Sequence, residues 1–157
     1  MAIEKVREHL AQWNVQHKIQ ELNESSATVE LAAQALGCEP ERIAKSLSFL
    51  VNDSTILIVA AGDAKVDNAK FKATFGTKAK MLGKDEVLEK IGHDVGGVCP
   101  FGVNEGVVIY LDESLKRFTT VFPACGSSNS AIELTISELE TFTPYQEWIS
   151  VCKGWNE

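Results

Sequence analysis

The fold of this chain is decided by the stretch Ser46-Leu47-Ser48-Phe49-Leu50-Val51-Asn52-Asp53-Ser54-Thr55-Ile56-Leu57-Ile58-Val59-Ala60. Every second residue in 46–51 belongs to one apolar face, which predicts a half-buried strand. The nearly continuous apolar run in 55–60 is typical of a strand that is buried on both faces. Because residues 52–54 are turn formers, we expect them to join the two strands as a β-hairpin.

Helical patterns surround this hairpin in the sequence. Helices or helical turns are predicted over five segments, namely 3–13, Ser26–Gly37, Pro40–Ala44, Asp67–Gly76 and Asp85–Gly92. Ser26, Asp67 and Asp85 are expected to begin their helices, and glycines are expected to end them. In the last segment, Leu88 is expected to face inward.

The C-terminal half adds further strands to the pattern. Strands are predicted over Val107–Leu111, Phe118–Ala124 and Ala131–Leu134. Asp112 is expected to cap a short helical turn, and Ser137 with Glu140 forms a capping box for a small helix. Residues 145–152 are expected to be a terminal helix or a frayed tail. The sequence thus predicts an α+β fold, with helices around a mixed, strongly twisted sheet.

Composition indicates one domain over residues 1–157, with 45% hydrophobic and 24% charged residues. No apolar run reaches the roughly 18–20 residues that cross a bilayer, and the charged N-terminus does not resemble a signal peptide. We therefore expect a cytoplasmic protein without a membrane partner. The four cysteines, at 38, 99, 125 and 152, are widely spaced. They predict free thiols, and no metal or cofactor is expected.

Charge is distributed unevenly along the chain, whose net charge is −7. Six lysines and two aspartates in 63–84 give this segment a net charge of +4 and leave −11 for the rest. We call these lysines the basic segment: Lys65, Lys70, Lys72, Lys78, Lys80 and Lys84. A basic face on an acidic body suits a polyanionic ligand, and a solvated lysine-rich surface is the alternative interpretation.

Two glycine loops are candidates for a binding site. The first is Gly96-Gly97-Val98-Cys99-Pro100-Phe101-Gly102, and the second is Gly126-Ser127-Ser128-Asn129. Glycine lets the backbone approach a ligand closely, and exposed N–H groups in such loops can donate to a carbonyl or an oxyanion. Two ordinary turns are the alternative interpretation of these loops.

Three separated signatures resemble the YbaK/EbsC family, the free-standing relatives of the editing domain of bacterial prolyl-tRNA synthetase. They are Ile43-Ala44-Lys45-Ser46-Leu47, the first glycine loop, and Ala124-Cys125-Gly126-Ser127 followed by Ile132-Glu133-Leu134. The resemblance covers about residues 26–142. It implies an aminoacyl-tRNA deacylase that hydrolyses the ester between tRNA and a wrong amino acid, commonly alanine or cysteine on proline tRNA. Prolyl-tRNA synthetase is an implied partner.

The resemblance and the residues together assign roles at the site. Lys45 and the backbone of Gly96 and Gly97 are the candidate catalytic groups. The candidate substrate-binding residues are His93, Cys99, Pro100, Phe101, Gly102, Gly126 and Ser127. The candidate tRNA-binding residues are Lys70, Lys72 and Lys80. No side chain stands out as a general base, and the resemblance implies assistance by the substrate's own 2′-hydroxyl or thiol.

Two other functions compete with deacylation. A non-catalytic module could hold an aminoacyl-adenosine, a nucleotide or another small ligand in the same pocket. A cysteine-dependent hydrolase could use Cys99 as nucleophile with His93 as base. His93 could also orient the loop or serve as an ordinary structural histidine.

Overall fold

A mixed six-stranded β-sheet lies at the centre of the computed structural model, which describes residues 2–155. The strands are β1 (Gln20–Glu21), β2 (Ile43–Val51), β3 (Ser54–Ala61), β4 (Lys65–Val66), β5 (Val108–Asp112), β6 (Thr120–Pro123), β7 (Ser130–Ala131), β8 (Leu134–Thr135), β9 (Tyr145–Ile149) and β10 (Cys152–Lys153). The helices are α1 (Ala2–Ala11), α2 (Val29–Leu36), α3 (Asn68–Phe75), α4 (Lys84–Ile91) and α5 (Ile136–Phe142). Short 3₁₀ turns occupy Gln16–Lys18, Pro40–Arg42 and Glu113–Arg117. The predicted α+β class is confirmed.

The predicted hairpin forms β2 and β3. The strands pair antiparallel with Val51 opposite Ser54, so the turn has two residues. Asn52 and Asp53 both have positive φ, at 48° and 69°, as a type I′ turn requires. β3 lies between β2 and β5, and Leu57–Ala61 are 0% exposed. This strand is therefore buried on both faces, as predicted.

The main sheet has the order β8-β6-β2-β3-β5-β9. β2 is antiparallel to β3 and parallel to β6, while β5 is parallel to both β3 and β9. Leu10, Phe71, Ile91 and Leu139, from four of the helices, pack with this sheet in one core and are 0% exposed. Burial of each such side chain contributes roughly 1.5–3 kcal/mol. Within residues 2–155, no helix combines the length and apolar character that a bilayer crossing requires.

The N-terminal cap of α2 differs from the prediction. Thr28, not Ser26, is the cap, because its Oγ1 accepts a hydrogen bond from Leu31 N–H at 3.2 Å. Two residues upstream, the Ser26 hydroxyl is buried without a partner among the described residues. Asp67 caps α3 as predicted, accepting two backbone N–H groups.

Helix α4 begins one residue before the predicted Asp85. Gly83 is the cap position, and its N–H donates to the carboxylate of Glu86 at 3.0 Å. The inward position predicted for Leu88 is wrong, since this side chain is 51% exposed. The buried residues of this helix are Val87 and Ile91, and Leu88 lies about 100° around the helix from Val87.

The capping box of α5 is shifted by two residues from the predicted pair, Ser137 and Glu140. Thr135 Oγ1 accepts from Glu138 N–H at 3.1 Å, and the Glu138 carboxylate accepts from Thr135 N–H at 2.9 Å. Glu140 instead accepts a hydrogen bond from Trp148 Nε1 at 2.9 Å. Thr135 with Glu138 and Ser137 with Glu140 both fit the capping-box pattern. Because Glu140 bonds to Trp148 instead, the upstream pair forms the box.

The predictions for the C-terminal strands need two corrections. Residues 145–149 form β9, which pairs parallel with β5, so a helix or frayed tail over 145–152 is wrong. The predicted strand over 131–134 is two short strands: Ala131 pairs with β1, and Leu134 pairs with β6. The partners of β9 and of Ala131, which are β5 and β1, are distant in sequence, so these pairings cannot be derived from the local pattern.

Candidate functional site

The outer edge of β2 has no partner strand around Ser46. The pairing with β6 ends at Ala44, opposite Pro123, and Leu82 N–H donates to Ser48 O at 3.2 Å farther along the same edge. Alternate residues of an antiparallel strand direct their backbone groups to opposite edges. Ser46 therefore directs its N–H and C=O toward the same edge as Ser48. Within the described residues these two groups have no strand partner.

A cavity of about 310 Å³, which we call the edge cavity, is lined by β2 at this gap. Its other walls come from the start of α2, from 81–87, from 95–98 and from β6 with β7. Much of the lining is apolar, and includes Val29, Ala32, Ile43, Leu47, Val87, Val98 and Phe122. The volume lies at the lower end of the roughly 300–1,000 Å³ that is usual for small-ligand sites.

The polar side chains of the edge cavity are mostly hydroxyls. Ser26 and Ser46 have buried Oγ atoms without a hydrogen-bond partner in residues 2–155, and Ser26 is only 7% exposed. Such groups are uncommon in proteins, and each is costly unless a ligand or water satisfies it. The cations in the lining are Lys45 and Lys84, and none of the described lining residues is Asp, Glu or His. The cavity thus offers neutral acceptors and cationic donors.

Lys45 is held at the boundary of this cavity. Its Nζ donates to the carbonyl oxygen of Gly62 at 3.3 Å and to that of Ala64. An ammonium group has three donors, so one stays available for a ligand. Burial lowers the pKa of the Lys45 amine, although the nearby Cys152 and Asp63 oppose this shift.

A second cavity of about 350 Å³ adjoins the first. Lys45, Leu47 and Met81 line both cavities. The second cavity also has Lys65 and Asn68 in its wall, together with apolar residues of β2, β4 and the segment 79–81. Lys45 therefore lies where two ligand-sized spaces meet, with cationic neighbours on both sides.

The structure brings the two glycine loops together, but Gly96 alone among their glycines lines the edge cavity. Gly126 N–H donates to Gly97 O at 3.0 Å. A Cβ atom on Gly97 would lie 2.6 Å from the Ser127 nitrogen, so the loops pack backbone against backbone. Gly102, at φ 63°, packs similarly against the Lys5 carbonyl of α1. Gly97, Gly102, Gly126 and Ser127 lie outside the lining of the edge cavity.

His93, Cys99 and Phe101 lie in the core and are 0% exposed. They do not line either cavity, and neither does the buried Pro100. His93 Nε2 lies 2.7 Å from Phe101 O, which places a proton on that nitrogen, and 3.6 Å from Cys99 Sγ. Burial raises the pKa of the Cys99 thiol to about 12 and lowers the pKa of His93. Both groups are therefore neutral near pH 7, unlike a thiolate–imidazolium pair.

The three lysines predicted to contact tRNA are exposed. Lys70 and Lys72 are on α3, and Lys80 is in the segment that borders β2. Lys70 Nζ donates to Cys152 O at 3.0 Å. Two other members of the basic segment are closer to the site, since Lys84 lines the edge cavity and Lys65 lines the second one. The basic segment thus extends to both cavities.

Sequence reasoning missed Ser26, Ser46 and Lys84 as lining residues. The local signal for Ser46 as a lining residue is its position directly after Lys45 in the signature Ile43-Ala44-Lys45-Ser46-Leu47. The gap in strand pairing that exposes it depends on β6 and on 80–82, which are distant in sequence. No pattern within β2 itself predicts where its neighbours end.

Comparison with known proteins agrees with these motifs. Residues 23–142 match the family described as "Aminoacyl-tRNA editing domain". The chain is 58% identical over 156 residues to YwhH of Bacillus subtilis (strain 168), with 99% of each protein covered. It is 31% identical over 130 residues to proline–tRNA ligase of Geobacillus sp. (strain WCH70), and the match covers 76% of the chain but only 23% of that ligase.

A solved structure extends the comparison to the whole fold. The protein described as a "putative trans-editing enzyme for prolyl tRNA synthetase" is 31% identical, with a TM-score of 0.86 and 98% of each chain covered. The sequence resemblance to this group of editing proteins is confirmed, because the family match includes Lys45 and both glycine loops. On sequence, motif and fold together, the chain belongs to the aminoacyl-tRNA editing domain family.

Proposed function

We propose that the protein is a trans-editing deacylase that hydrolyses alanyl or cysteinyl esters on proline tRNA. One observation carries the proposal: Lys45 of β2 and Gly96 of the distant glycine loop line the same cavity. These are the catalytic groups assigned from sequence that reach a ligand-sized space. The family match and the relation to proline–tRNA ligase support tRNA as the carrier of the ester.

The reaction needs little from the protein beyond positioning and charge stabilisation. Water adds to the ester carbonyl carbon, the bond to the ribose oxygen breaks, and that oxygen takes up the proton. The remaining donor of Lys45 can bind the ribose or phosphate of the terminal nucleotide or offset developing negative charge. The Gly96 backbone borders the same space. A 2′-hydroxyl or substrate thiol would guide the water, since the described lining offers no carboxylate or imidazole base.

The basic segment gives the tRNA a path away from the site. Lys65 and Lys84 lie in the cavity walls, while Lys70, Lys72 and Lys80 are exposed on the adjoining surface. Lysines at such positions bind phosphates without reading sequence. We propose that these lysines hold the acceptor end, that prolyl-tRNA synthetase is the partner whose errors are corrected, and that the protein acts in the cytoplasm.

The test is release of amino acid from a panel of mischarged tRNAs, by the intact protein and by Lys45→Ala. We expect rapid release from alanyl- or cysteinyl-tRNA(Pro) and loss of release in the variant. Lys116→Ala is the matched control, because Lys116 is exposed and lines neither cavity. Tight binding of the charged tRNAs without any release would overturn the proposal in favour of a non-catalytic binding module.

A further inference from the structure

We infer that the free edge of β2 at Ser46 binds the α-amino group and the carbonyl of the acyl group, so that the site accepts esters of single amino acids with an unblocked amine. The inference rests on the proposed function. All aminoacyl esters share an α-amino group and a carbonyl, and the inference assigns their recognition to the main chain of Ser46.

The backbone of Ser46 is complementary to an amino acid. Its N–H and C=O both point to the edge that lacks a strand partner, one donor and one acceptor separated by a single Cα. Two residues facing each other in an antiparallel ladder exchange N–H···O bonds in this way. An aminoacyl group carries the same pair, an amine followed by a carbonyl across one Cα. It can therefore pair with Ser46 as a strand of one residue, the smallest form of strand addition to a sheet edge.

The chemistry of the cavity wall supports this arrangement. Since none of the described lining residues has a carboxylate, an amine in the cavity must donate to a carbonyl or a hydroxyl. Ser46 C=O, which has no strand partner, is an acceptor of this kind. The Ser46 N–H would then donate to the ester carbonyl oxygen, which becomes the oxyanion when water adds.

The length of the free edge limits what can bind. On one side of Ser46 the edge is occupied by β6 as far as Ala44, and on the other side by residues 80–82 from Ser48 onward. In the antiparallel pairing the amine lies on the Ser48 side of Ser46, so a second residue or an acyl group on the amine would meet residues 80–82. The site should therefore reject N-acylated and peptidyl esters, which in a cell distinguishes mischarged tRNA from peptidyl-tRNA.

The experiment compares three esters of one tRNA(Pro) transcript, charged with alanine, with lactic acid or with N-acetylalanine. Each catalysed rate is divided by the spontaneous rate of the same ester, because the free amine itself accelerates hydrolysis. We expect N-acetylation to lower this ratio by about 100-fold, because the acetyl group keeps the acyl moiety away from Ser46 and so leaves the buried backbone pair without its ligand. The lactyl ester keeps one donor and should lose roughly tenfold.

Variants of Ser46 separate its main chain from its side chain. Ser46→Pro removes the N–H at a position where no strand bond is broken and should abolish turnover. Ser46→Ala keeps the backbone pair, so a loss of turnover as large as that of the proline variant would assign recognition to the hydroxyl and overturn the inference. The substrate series decides the matter if the proline variant does not fold. Equal ratios for the alanyl and N-acetylalanyl esters would overturn the inference while leaving the deacylase function intact.

A binding measurement keeps the inference testable without catalysis. The probe is 3′-deoxy-3′-alanylamino-adenosine, whose amide is not hydrolysed, and its N-acetyl derivative is the control. We expect the free amine to bind about 100-fold more tightly, even if no tRNA ester is ever cleaved. Equal dissociation constants for the two compounds would overturn the inference, and failure to cleave any ester would overturn the proposed function instead.

Discussion

Lys45 Nζ lies 3.3 Å from the carbonyl oxygen of Gly62, in the chain segment that follows β3. A Cβ atom at Gly62 would lie 2.0 Å from the carbonyl oxygen of Pro40, so this backbone passes where no side chain fits. The carbonyl that orients Lys45 is thus fixed by a close contact between two main chains. Because the ammonium is oriented before any ligand arrives, it need lose little freedom on binding.

Replacing Lys45 by alanine should abolish deacylation and leave the fold intact. The side chain is half-buried at a cavity boundary and outside the packed centre of the core. Its loss removes a ligand donor but no large apolar contact. The measurements are amino-acid release from mischarged tRNA and thermal unfolding. Full turnover in a stable variant would contradict the assignment of Lys45, and so would a variant that does not fold.

Lys45 should also leave a signature in the pH dependence of stability. Burial lowers the pKa of its amine below the ordinary 10.5. In the window between the lowered pKa and 10.5, the unfolded chain binds more protons than the native protein. The contribution of Lys45 to the free energy of unfolding therefore rises with pH through this window.

The check is urea unfolding of the intact protein and of Lys45→Met across that pH range. The stability of the intact protein relative to the variant should increase with pH, because methionine does not titrate. Subtracting the two curves removes the pH dependence that the two proteins share. A difference that does not change with pH would contradict the buried position of the amine.

The sequence predicts the central hairpin and the cap at Asp67 because these depend on local patterns, such as the two turn residues between β2 and β3. It does not predict β9, whose strand-forming Tyr145, Trp148 and Ile149 do not alternate strictly with polar residues and whose partner β5 is distant in sequence. The same difference holds at the site. Lys45 and Gly96 belong to recognisable motifs, whereas the role of Ser46 depends on where two other segments stop pairing.

Cysteine 99 should be dispensable for activity. Its thiol is fully buried beside His93, and burial raises its pKa to about 12, so no thiolate is available as a nucleophile. Cys99→Ser should keep most of the turnover and lose about 1–3 kcal/mol of stability, the cost of a poorly paired buried hydroxyl. Iodoacetamide should leave Cys99 unmodified in the native protein. An inactive, stable Cys99→Ser protein, with alkylation blocked by substrate, would establish the cysteine mechanism instead.

Substitution of Gly97 should affect stability as well as activity. From sequence alone, a bulky residue here is expected to harm mainly the substrate site. In the structure, a Cβ atom would lie 2.6 Å from Ser127 N, so the two loops must separate. Gly97→Ala should lower the free energy of unfolding by about 1–3 kcal/mol and displace Gly96 from the cavity wall. The control is Gly83→Ala, where the nearest atom is 3.5 Å away; because Gly83 is the N-cap of α4, this change should cost under about 1 kcal/mol through the cap alone. Equal stability losses at both positions would contradict the proposed packing of the loops.

Charge reversal in the basic segment should weaken tRNA binding without changing the chemistry. The triple variant carries Lys70→Glu, Lys72→Glu and Lys80→Glu. Because these lysines are exposed and outside both cavity walls, KM for full-length aminoacyl-tRNA should rise while hydrolysis of a short aminoacyl-adenosine ester stays unchanged. The salt dependence of KM should also flatten, by roughly 0.7–0.9 in the log–log slope for each phosphate that the variant no longer neutralises.

The control for that variant reverses three lysines elsewhere, Lys5, Lys90 and Lys116, and so makes the same change in net charge. If repulsion by the whole protein were responsible, both triple variants would raise KM equally. Equal losses of the first variant on tRNA and on the short ester would mean that its lysines support the pocket or the fold. If KM is unchanged on both substrates, these lysines do not bind phosphates, because the loss of phosphate contacts would change the salt dependence of KM. The basic segment would then be only a solvated surface.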